Sequence, residues 1–179
     1  MPSHDGFLQS YNAQACVDDD THLIVEQPIT QQPNDKQEVA PTVERLRQLP
    51  GALGAADKLL ADTGYFSEAN VNTCESNGIL PFIPEGRQGH NEPLWGRFAD
   101  DPPAPPQPAG VEAMRHRLKT RDGKAIYARR KSTVETVFGI IKQVQGFRQF
   151  LLRGLDAVSA EWSLVCIGWN LKRLHALKG

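Results

Sequence analysis

Hydrophobic and polar residues alternate with period two near the start of the chain, which is typical of β-strands. Residues 11–17 follow this alternation and predict a first strand. Three consecutive aspartates then predict a turn, and residues 22–30 predict the second strand of a hairpin. Residues 38–48 have a helical pattern with Pro41 in the first turn, and the following Pro-Gly pair ends that helix.

A short apolar run comes next, and we expect a buried strand over residues 58–62 that ends at Asp62. Ser67 is a suitable N-cap for a helix through about residue 76, and residues 79–83 predict another strand. Alternating strands and helices indicate an α/β fold. An acid at the carboxyl end of a strand in such a fold is a common position for a functional site.

The second half of the chain is predicted to be a Pro-rich segment followed by helices. Residues 84–111 contain seven prolines and little periodicity, which predicts an insertion or linker between a strand-rich part, residues 1–83, and a basic helical part, residues 112–179. A helix over 112–120, a turn at 121–123 and an extended segment at 124–127 come first, and helices over 132–145 and 158–177 follow.

Both later helices carry apolar positions at helical spacing. The first of them is predicted to bury Val134, Val137, Ile141 and Val144. The second offers Trp162, Val165, Trp169 and Leu174 for packing.

Charge is distributed unevenly, although the whole chain has a formal net charge of -1. Residues 1–111 contain 6 basic and 16 acidic residues, whereas residues 112–179 contain 14 basic and 5 acidic residues. Such a cationic segment suits a polyanion such as nucleic acid, although solvated Lys and Arg faces are also common.

Several classes of protein are disfavoured. The longest apolar run, residues 162–169, is far shorter than the roughly 18 residues of a membrane span, and the N-terminus does not resemble a secretory signal. Three widely separated cysteines without a C-x-x-C pair disfavour both a disulfide framework and a zinc site. We therefore expect a cytoplasmic protein that has no membrane partner.

Two acids are candidates for chemistry. Asp62 is either a turn-forming residue before Thr-Gly or a carboxylate that points into a crevice. Glu135 lies within the strongest helical pattern, in one column with Lys131 and Lys142 at about 100° per residue. That column is either a surface salt bridge or a carboxylate that binds a metal between two cations that bind phosphates.

Five motifs occur in a specific order: Y-N-A-Q-A-C-V-D at 11–18, N-D at 34–35, L-A-D-T-G-Y-F-S at 60–67, Y-A-R-R-K-S-T-V-E-T-V-F-G-I-I-K at 127–142, and G-F-R-Q-F-L-L-R-G at 146–154. This set resembles the C-terminal half of DDE transposases from bacterial insertion sequences, over roughly residues 7–175 apart from the Pro-rich insertion. The resemblance implies a partial RNase H-like fold, a mixed sheet flanked by helices, and a role in DNA transposition and recombination.

The resemblance also implies functional residues. Asp62 and Glu135 match two catalytic carboxylates that would bind Mg²⁺ or Mn²⁺, and hard carboxylate oxygens suit these cations. Tyr127, Glu135 and Lys142 match a Tyr, Arg, Glu, Lys signature, in which either Arg130 or Lys131 takes the Arg position and Lys131 fits the helical spacing better. The implied DNA-binding residues are Tyr127, Arg129, Arg130, Lys131, Lys142, Arg148 and Arg153.

Family members carry a first catalytic Asp upstream of the Y-N-A-Q strand, but only ten residues precede Tyr11 here, and Asp5 is the sole acid among them. We therefore expect a truncated transposase that is inactive alone, unless a partner chain or Asp5 supplies the third acid. The alternatives are a non-catalytic DNA-binding or oligomerising remnant and a product without activity. Expected partners are transposon ends, target DNA, and a second copy or an intact transposase.

Overall fold

The computed structural model describes residues 2–3, 6–7, 11–86, 100–106 and 108–179. The chain divides into two compact units, which are described separately: unit 1 is Met1–Pro33 with Arg130–Gly179, and unit 2 is Asn34–Arg129. Asp5 and much of the predicted Pro-rich insertion lie outside the described residues.

The strands of unit 1 form antiparallel pairs. Their bounds are β1 (Pro2–Ser3), β2 (Gly6–Phe7), β3 (Asn12–Ala13), β4 (Cys16–Val17), β5 (Ile24–Glu26) and β6 (Ile29–Thr30). Strand β1 pairs with β2, β3 with β6, and β4 with β5. The backbone N–H of Gln14 donates to the carbonyl of Pro28 at 2.9 Å between the β3–β6 and β4–β5 pairs. The predicted hairpin over residues 11–30 is therefore confirmed.

The three aspartates form the hairpin turn, as predicted. The Asp18 carboxylate accepts a hydrogen bond from the Thr21 backbone N–H at 2.8 Å, and the His22 N–H donates to the Asp18 carbonyl at 2.8 Å. His22 has a φ of 59°, a left-handed conformation that is uncommon outside glycine and that ends the turn.

Unit 2 contains a β-α-β arrangement. Its elements are α1 (Val39–Arg47), β7 (Lys58–Leu60), α2 (Glu68–Ser76), β8 (Leu80–Phe82) and α3 (Gly110–Arg117). Strands β7 and β8 pair in parallel, and α2 connects them. Ser67 caps α2 by accepting from the Asn70 N–H at 3.1 Å, and Gly78, with a φ of 74°, follows its end. The predicted elements are confirmed, and so is the α/β class, except that β7 is shorter than the predicted strand over 58–62 and is not buried: Lys58 is exposed, and Leu59 and Leu60 are half-buried.

The prediction of a turn at 121–123 and an extended segment at 124–127 is wrong, because helix α4 covers Arg121–Ser132. Thr120 starts this helix: its hydroxyl accepts from the Gly123 N–H at 3.0 Å, as an N-cap does. Gly123 is buried, and a Cβ built there would lie 1.8 Å from the Arg117 carbonyl oxygen. This glycine therefore permits close packing and does not mark a turn.

The hairpin of unit 1 packs on two helices, α5 (Val134–Gln143) and α6 (Leu155–Leu177). The core consists of Ile24, Val137, Ile141, Trp162, Cys166 and Trp169. Two predicted packing positions are wrong, because Val144 is 72% exposed at the end of α5 and Leu174 is 44% exposed near the end of α6.

Polar side chains of α6 also bind the hairpin backbone. The Trp162 indole N–H donates to the Gln14 carbonyl at 3.0 Å, and the Trp169 indole N–H donates to the His22 carbonyl at 2.8 Å. The Asn170 side chain both accepts from the N–H of Ile24 and donates to its carbonyl, each at 2.8 Å. Helix α6 therefore satisfies backbone groups that an edge strand would otherwise expose.

No helix in the described part of the chain has both the length and the apolar character needed to cross a membrane.

Candidate active site

Asp62 lies at the carboxyl end of strand β7. The Ala61 N–H still donates to the Phe82 carbonyl at 3.3 Å, so the parallel ladder stops directly before Asp62. The exposed Asp62 carboxylate caps a 3₁₀ turn, Thr63–Tyr65, because its Oδ1 accepts from the Gly64 N–H at 2.8 Å. The turn-forming interpretation of Asp62 is correct, and this hydrogen bond fixes one of its oxygens at the end of the strand.

A second carboxylate borders the same glycine. A Cβ built on Gly64 would lie 3.0 Å from Asp62 Oδ1 and 3.3 Å from Asp35 Oδ2. The carboxylates of Asp35 and Asp62 therefore border the same methyl-sized space. The Asn34-Asp35 motif was visible in the sequence, but it gave no indication that Asp35 lies next to Asp62.

Glu135 lies in the first turn of α5, and its side chain is half exposed. Its Oε1 is 2.8 Å from Nη2 of Arg130. Within the described part of the chain, neither Lys131 nor Lys142 forms an ion pair with Glu135. The predicted alignment of Lys131 with Glu135 is therefore wrong, because Arg130 is the cation that binds the carboxylate. Which of the two residues takes the Arg position of the signature stays a prediction.

Thr133 is the reason for this pairing. Its φ of -100° and ψ of -89° interrupt the helix between Ser132 and Val134, so the 100° spacing that would align Lys131 with Glu135 does not apply. The Thr133 side chain is buried, and its hydroxyl donates to Asp19 Oδ1 at 2.6 Å. Asp19, which sequence reasoning assigned only to the hairpin turn, therefore also anchors the break before Glu135.

Three predicted DNA-binding cations lie at or after the end of α5. The Lys142 ammonium lies 5.7 Å from the centroid of the Phe138 ring. The Arg148 guanidinium donates to the Gln143 side-chain oxygen at 2.8 Å, and that of Arg153 donates to the Leu152 carbonyl at 3.0 Å. Among the described residues, none of the three cations has a carboxylate partner, so their charges stay available to an anion.

The segment 146–154, which carries Arg148 and Arg153, is held from both sides. Glu161 on α6 accepts from the backbone N–H of Leu151 at 2.9 Å and from that of Leu152 at 3.0 Å. The Tyr11 hydroxyl accepts from the Gly154 N–H at 2.9 Å.

Two aromatic residues of the segment 146–154, Phe147 and Phe150, pack against the Trp162 ring. Sequence reasoning missed Glu161 because a lone helix Glu is usually solvated.

The other predicted DNA-binding residues lie on α4. Tyr127 is half-buried against the core of unit 2, whereas Arg129 and Lys131 are exposed. Their contact with DNA stays a prediction.

Asp62 belongs to unit 2 and Glu135 to unit 1, so the convergence of these two carboxylates also stays a prediction. Over the described ranges, no group of three or more His, Cys, Asp and Glu side chains could hold a metal ion. The Asp35 and Asp62 carboxylates do offer the hard oxygen donors that Mg²⁺ prefers.

Comparison with protein-family models gives a match for the C-terminal part of the chain. Residues 107–175 match a family model described as Transposase DDE domain. No curated protein and no solved structure matches the chain. The matched range includes the Arg130–Glu135 ion pair and the cations Lys142, Arg148 and Arg153. The match confirms, over residues 107–175, the resemblance to DDE transposases that the ordered motifs indicated.

Proposed function

We propose that this chain acts in DNA transposition through a partial RNase H-like fold, with Asp62 and Glu135 as catalytic carboxylates. The observation that carries the proposal is the ion pair of Arg130 with Glu135, at 2.8 Å, inside the range that matches the transposase family. Arg130 fixes the Glu135 carboxylate at the first turn of α5, where the helix dipole also favours negative charge.

Asp62 and Glu135 would hold a divalent cation, Mg²⁺ or Mn²⁺, through their carboxylate oxygens. Such a cation supplies charge stabilisation for the attacking and leaving oxygens of a phosphodiester. Asp62 suits this role because, among the described residues, a hydrogen bond is made to its Oδ1 and not to its Oδ2, so Oδ2 can bind a cation. Two carboxylates balance less cation charge than three, so we expect weak binding and little cleavage by the chain alone.

The cations of α5 and the following segment would bind DNA phosphates. Lys142, Arg148 and Arg153 need no rearrangement of ion pairs to do so, and Glu161 and Tyr11 hold their segment in place. Contacts of this kind position DNA without reading its sequence. Each phosphate contact that is lost should lower the slope of log affinity against log salt by about one.

The first experiment measures nicking of supercoiled DNA with Mg²⁺ or Mn²⁺. We expect weak nicking that Asp62→Asn and Glu135→Gln abolish, whereas the matched charge-neutralising controls Glu44→Gln in unit 2 and Asp156→Asn in unit 1 retain it. A second sample adds an intact transposase of the same family whose own matching Asp and Glu are replaced by Asn and Gln, so that any gain in nicking depends on Asp62 and Glu135 of this chain. Nicking that survives both site substitutions would contradict the catalytic assignment.

DNA binding without cleavage is the second candidate function. It is favoured by the three cations without carboxylate partners among the described residues, since they need no metal to bind phosphate. Salt-sensitive DNA binding that Arg148→Ala and Arg153→Ala weaken, with no nicking under any metal or partner condition, would establish this candidate instead.

A further inference from the structure

The side chain of Asn70 joins the two segments that carry Asp35 and Asp62. Asn70 lies on α2 and is 5% exposed. Its Nδ2 donates to the Lys36 carbonyl at 2.8 Å and to the Tyr65 carbonyl at 2.7 Å. Lys36 lies in the 3₁₀ segment Asp35–Gln37, and Tyr65 ends the 3₁₀ turn that Asp62 caps. One buried amide group therefore ties both short segments together.

The two hydrogen bonds of Asn70 oppose the electrostatic repulsion between the carboxylates of Asp35 and Asp62. Asp35 Oδ2 and Asp62 Oδ1 both border the space beside Gly64, and two carboxylates at such proximity repel each other when no cation is present. Isolated 3₁₀ turns have few hydrogen bonds with which to resist that repulsion. Separating the segments would leave the buried Asn70 amide group without one or both of its acceptors, which is unfavourable.

We propose that Asn70 is a positioning residue that sets the spacing between Asp62 and Asp35 and thereby the affinity of Asp62 for a divalent cation. This inference rests on the proposed role of Asp62 as a metal ligand. We assign Asn70 no contact with the cation, because its side chain is buried on α2 and its amide group holds the two carbonyls. It acts through the turn that Asp62 caps.

Gly64 allows an independent test of the same spacing. The φ of Gly64 is not positive, so alanine is compatible with its backbone. Gly64→Ala would place a methyl group 3.0 Å from Asp62 Oδ1 and 3.3 Å from Asp35 Oδ2, so the carboxylates must shift to accommodate it, whereas the Asn70 hydrogen bonds are not altered directly.

The experiment measures Mn²⁺ binding to the full chain by calorimetry, without DNA, and records the circular dichroism of every variant. We expect Asn70→Ala and Gly64→Ala each to weaken Mn²⁺ binding by about tenfold, which is typical of residues that orient a metal ligand. Thr73→Ala is the matched control, because Thr73 also lies on α2 and donates to a carbonyl, that of Ala69, at 2.8 Å. It should bind Mn²⁺ like the wild type.

The outcomes separate the inference from the proposed function. If Asp62→Asn weakens Mn²⁺ binding but folded Asn70→Ala and Gly64→Ala do not, the positioning role is overturned and the proposed function stands. If Asp62→Asn leaves Mn²⁺ binding unchanged, both are overturned. Should Asn70→Ala fail to fold, a folded Gly64→Ala that binds Mn²⁺ like the wild type still overturns the proposal, because the proposal requires this spacing to set the affinity.

Discussion

Arg130 and Glu135 form an ion pair, at 2.8 Å, across a break in the helical backbone. In a continuous helix, residues five apart do not share a face, whereas residues four apart do. The backbone conformation of Thr133 changes that relationship and brings Arg130, not Lys131, to the carboxylate.

Replacing Arg130 should affect function more than stability. We expect Arg130→Ala to lower DNA nicking at least about tenfold, since Glu135 loses the group that orients it. The pair is partly exposed, so the free energy of unfolding should change by about 1 kcal/mol or less. Nicking assays and urea unfolding give the two values. Lys172→Ala, which removes an exposed cation of α6 in the same unit, is the control, and an equal loss of nicking in both variants would contradict a specific role for Arg130.

Thr133→Val removes the hydroxyl that donates to Asp19 at 2.6 Å and keeps the shape of the side chain. Because Thr133 is buried, we expect a loss of about 1–3 kcal/mol in the free energy of unfolding. Thr136→Val, at an exposed position of the same helix, should stay within about 0.5 kcal/mol of the wild type. Equal effects of the two substitutions in urea unfolding would show that the Asp19 contact stabilises nothing.

Glu161→Ala tests whether Glu161 anchors the segment 146–154, because the direction of the change in DNA affinity distinguishes an anchor from a simple charge effect. Removing a negative charge near cations should strengthen DNA binding if only charge matters. We expect weaker binding, because the backbone N–H groups of Leu151 and Leu152 lose their acceptor and the segment loosens. Amide hydrogen exchange at both residues should accelerate. Asp156→Asn removes a charge from the same helix and should not weaken binding, and stronger DNA binding by Glu161→Ala would refute the anchor.

Two helical glycines should respond oppositely to alanine. Gly123→Ala places a Cβ 1.8 Å from the Arg117 carbonyl oxygen, and we expect a loss of about 3 kcal/mol in the free energy of unfolding. Gly139→Ala meets nothing within 4 Å on α5, and we expect a gain of about 0.5–1 kcal/mol. Thermal unfolding distinguishes them, and a tolerated Gly123→Ala would mean that α3 and α4 pack less closely than described.

Two thiols predict a loss of stability at alkaline pH. Burial, together with the charge of Glu75, raises the pKa of Cys74 from 9.0 to about 11, and burial raises that of Cys166 from 9.0 to about 12. Above pH 9 the unfolded chain releases thiol protons that the folded chain keeps, so the free energy of unfolding falls until the folded thiols also titrate. Urea unfolding at pH 8, 9 and 10 measures this slope. The double variant Cys74→Ala, Cys166→Ala should have a smaller slope, and an unchanged slope would contradict the prediction.

Local patterns were sufficient to predict most elements. The hairpin, the Ser67 cap of α2 and the strand that ends before Asp62 depend on residues close in sequence, and all are confirmed. The prediction of a turn at 121–123, where α4 begins, is wrong because Gly123 was interpreted from backbone preference alone. Glycine is needed at this position because the backbone packs closely on the Arg117 carbonyl.

The site could be predicted as a set of residues but not as a set of contacts. Asp62 and Glu135 follow from the motifs, and their own partners, Gly64 and Arg130, lie close in sequence. The residues that hold the surrounding backbone, however, bind chain segments far away in sequence. Thr133 interacts with a residue 114 positions earlier, and Asn70 reaches a carbonyl 34 positions earlier. No periodicity within α2 or α5 indicates such contacts, because they depend on how separate elements pack.

The bonds from α6 to the hairpin have a consequence for the order of events during synthesis. Trp162 donates to the Gln14 carbonyl, 148 positions earlier. The hydrophobic core between the hairpin and α6 can therefore form only after α6 has left the ribosome. Unit 2 is one continuous stretch and meets its own partners earlier. The strands of the hairpin therefore stay exposed while the residues between them and α6 are synthesised, and unpaired strand edges are then vulnerable to association with other nascent chains.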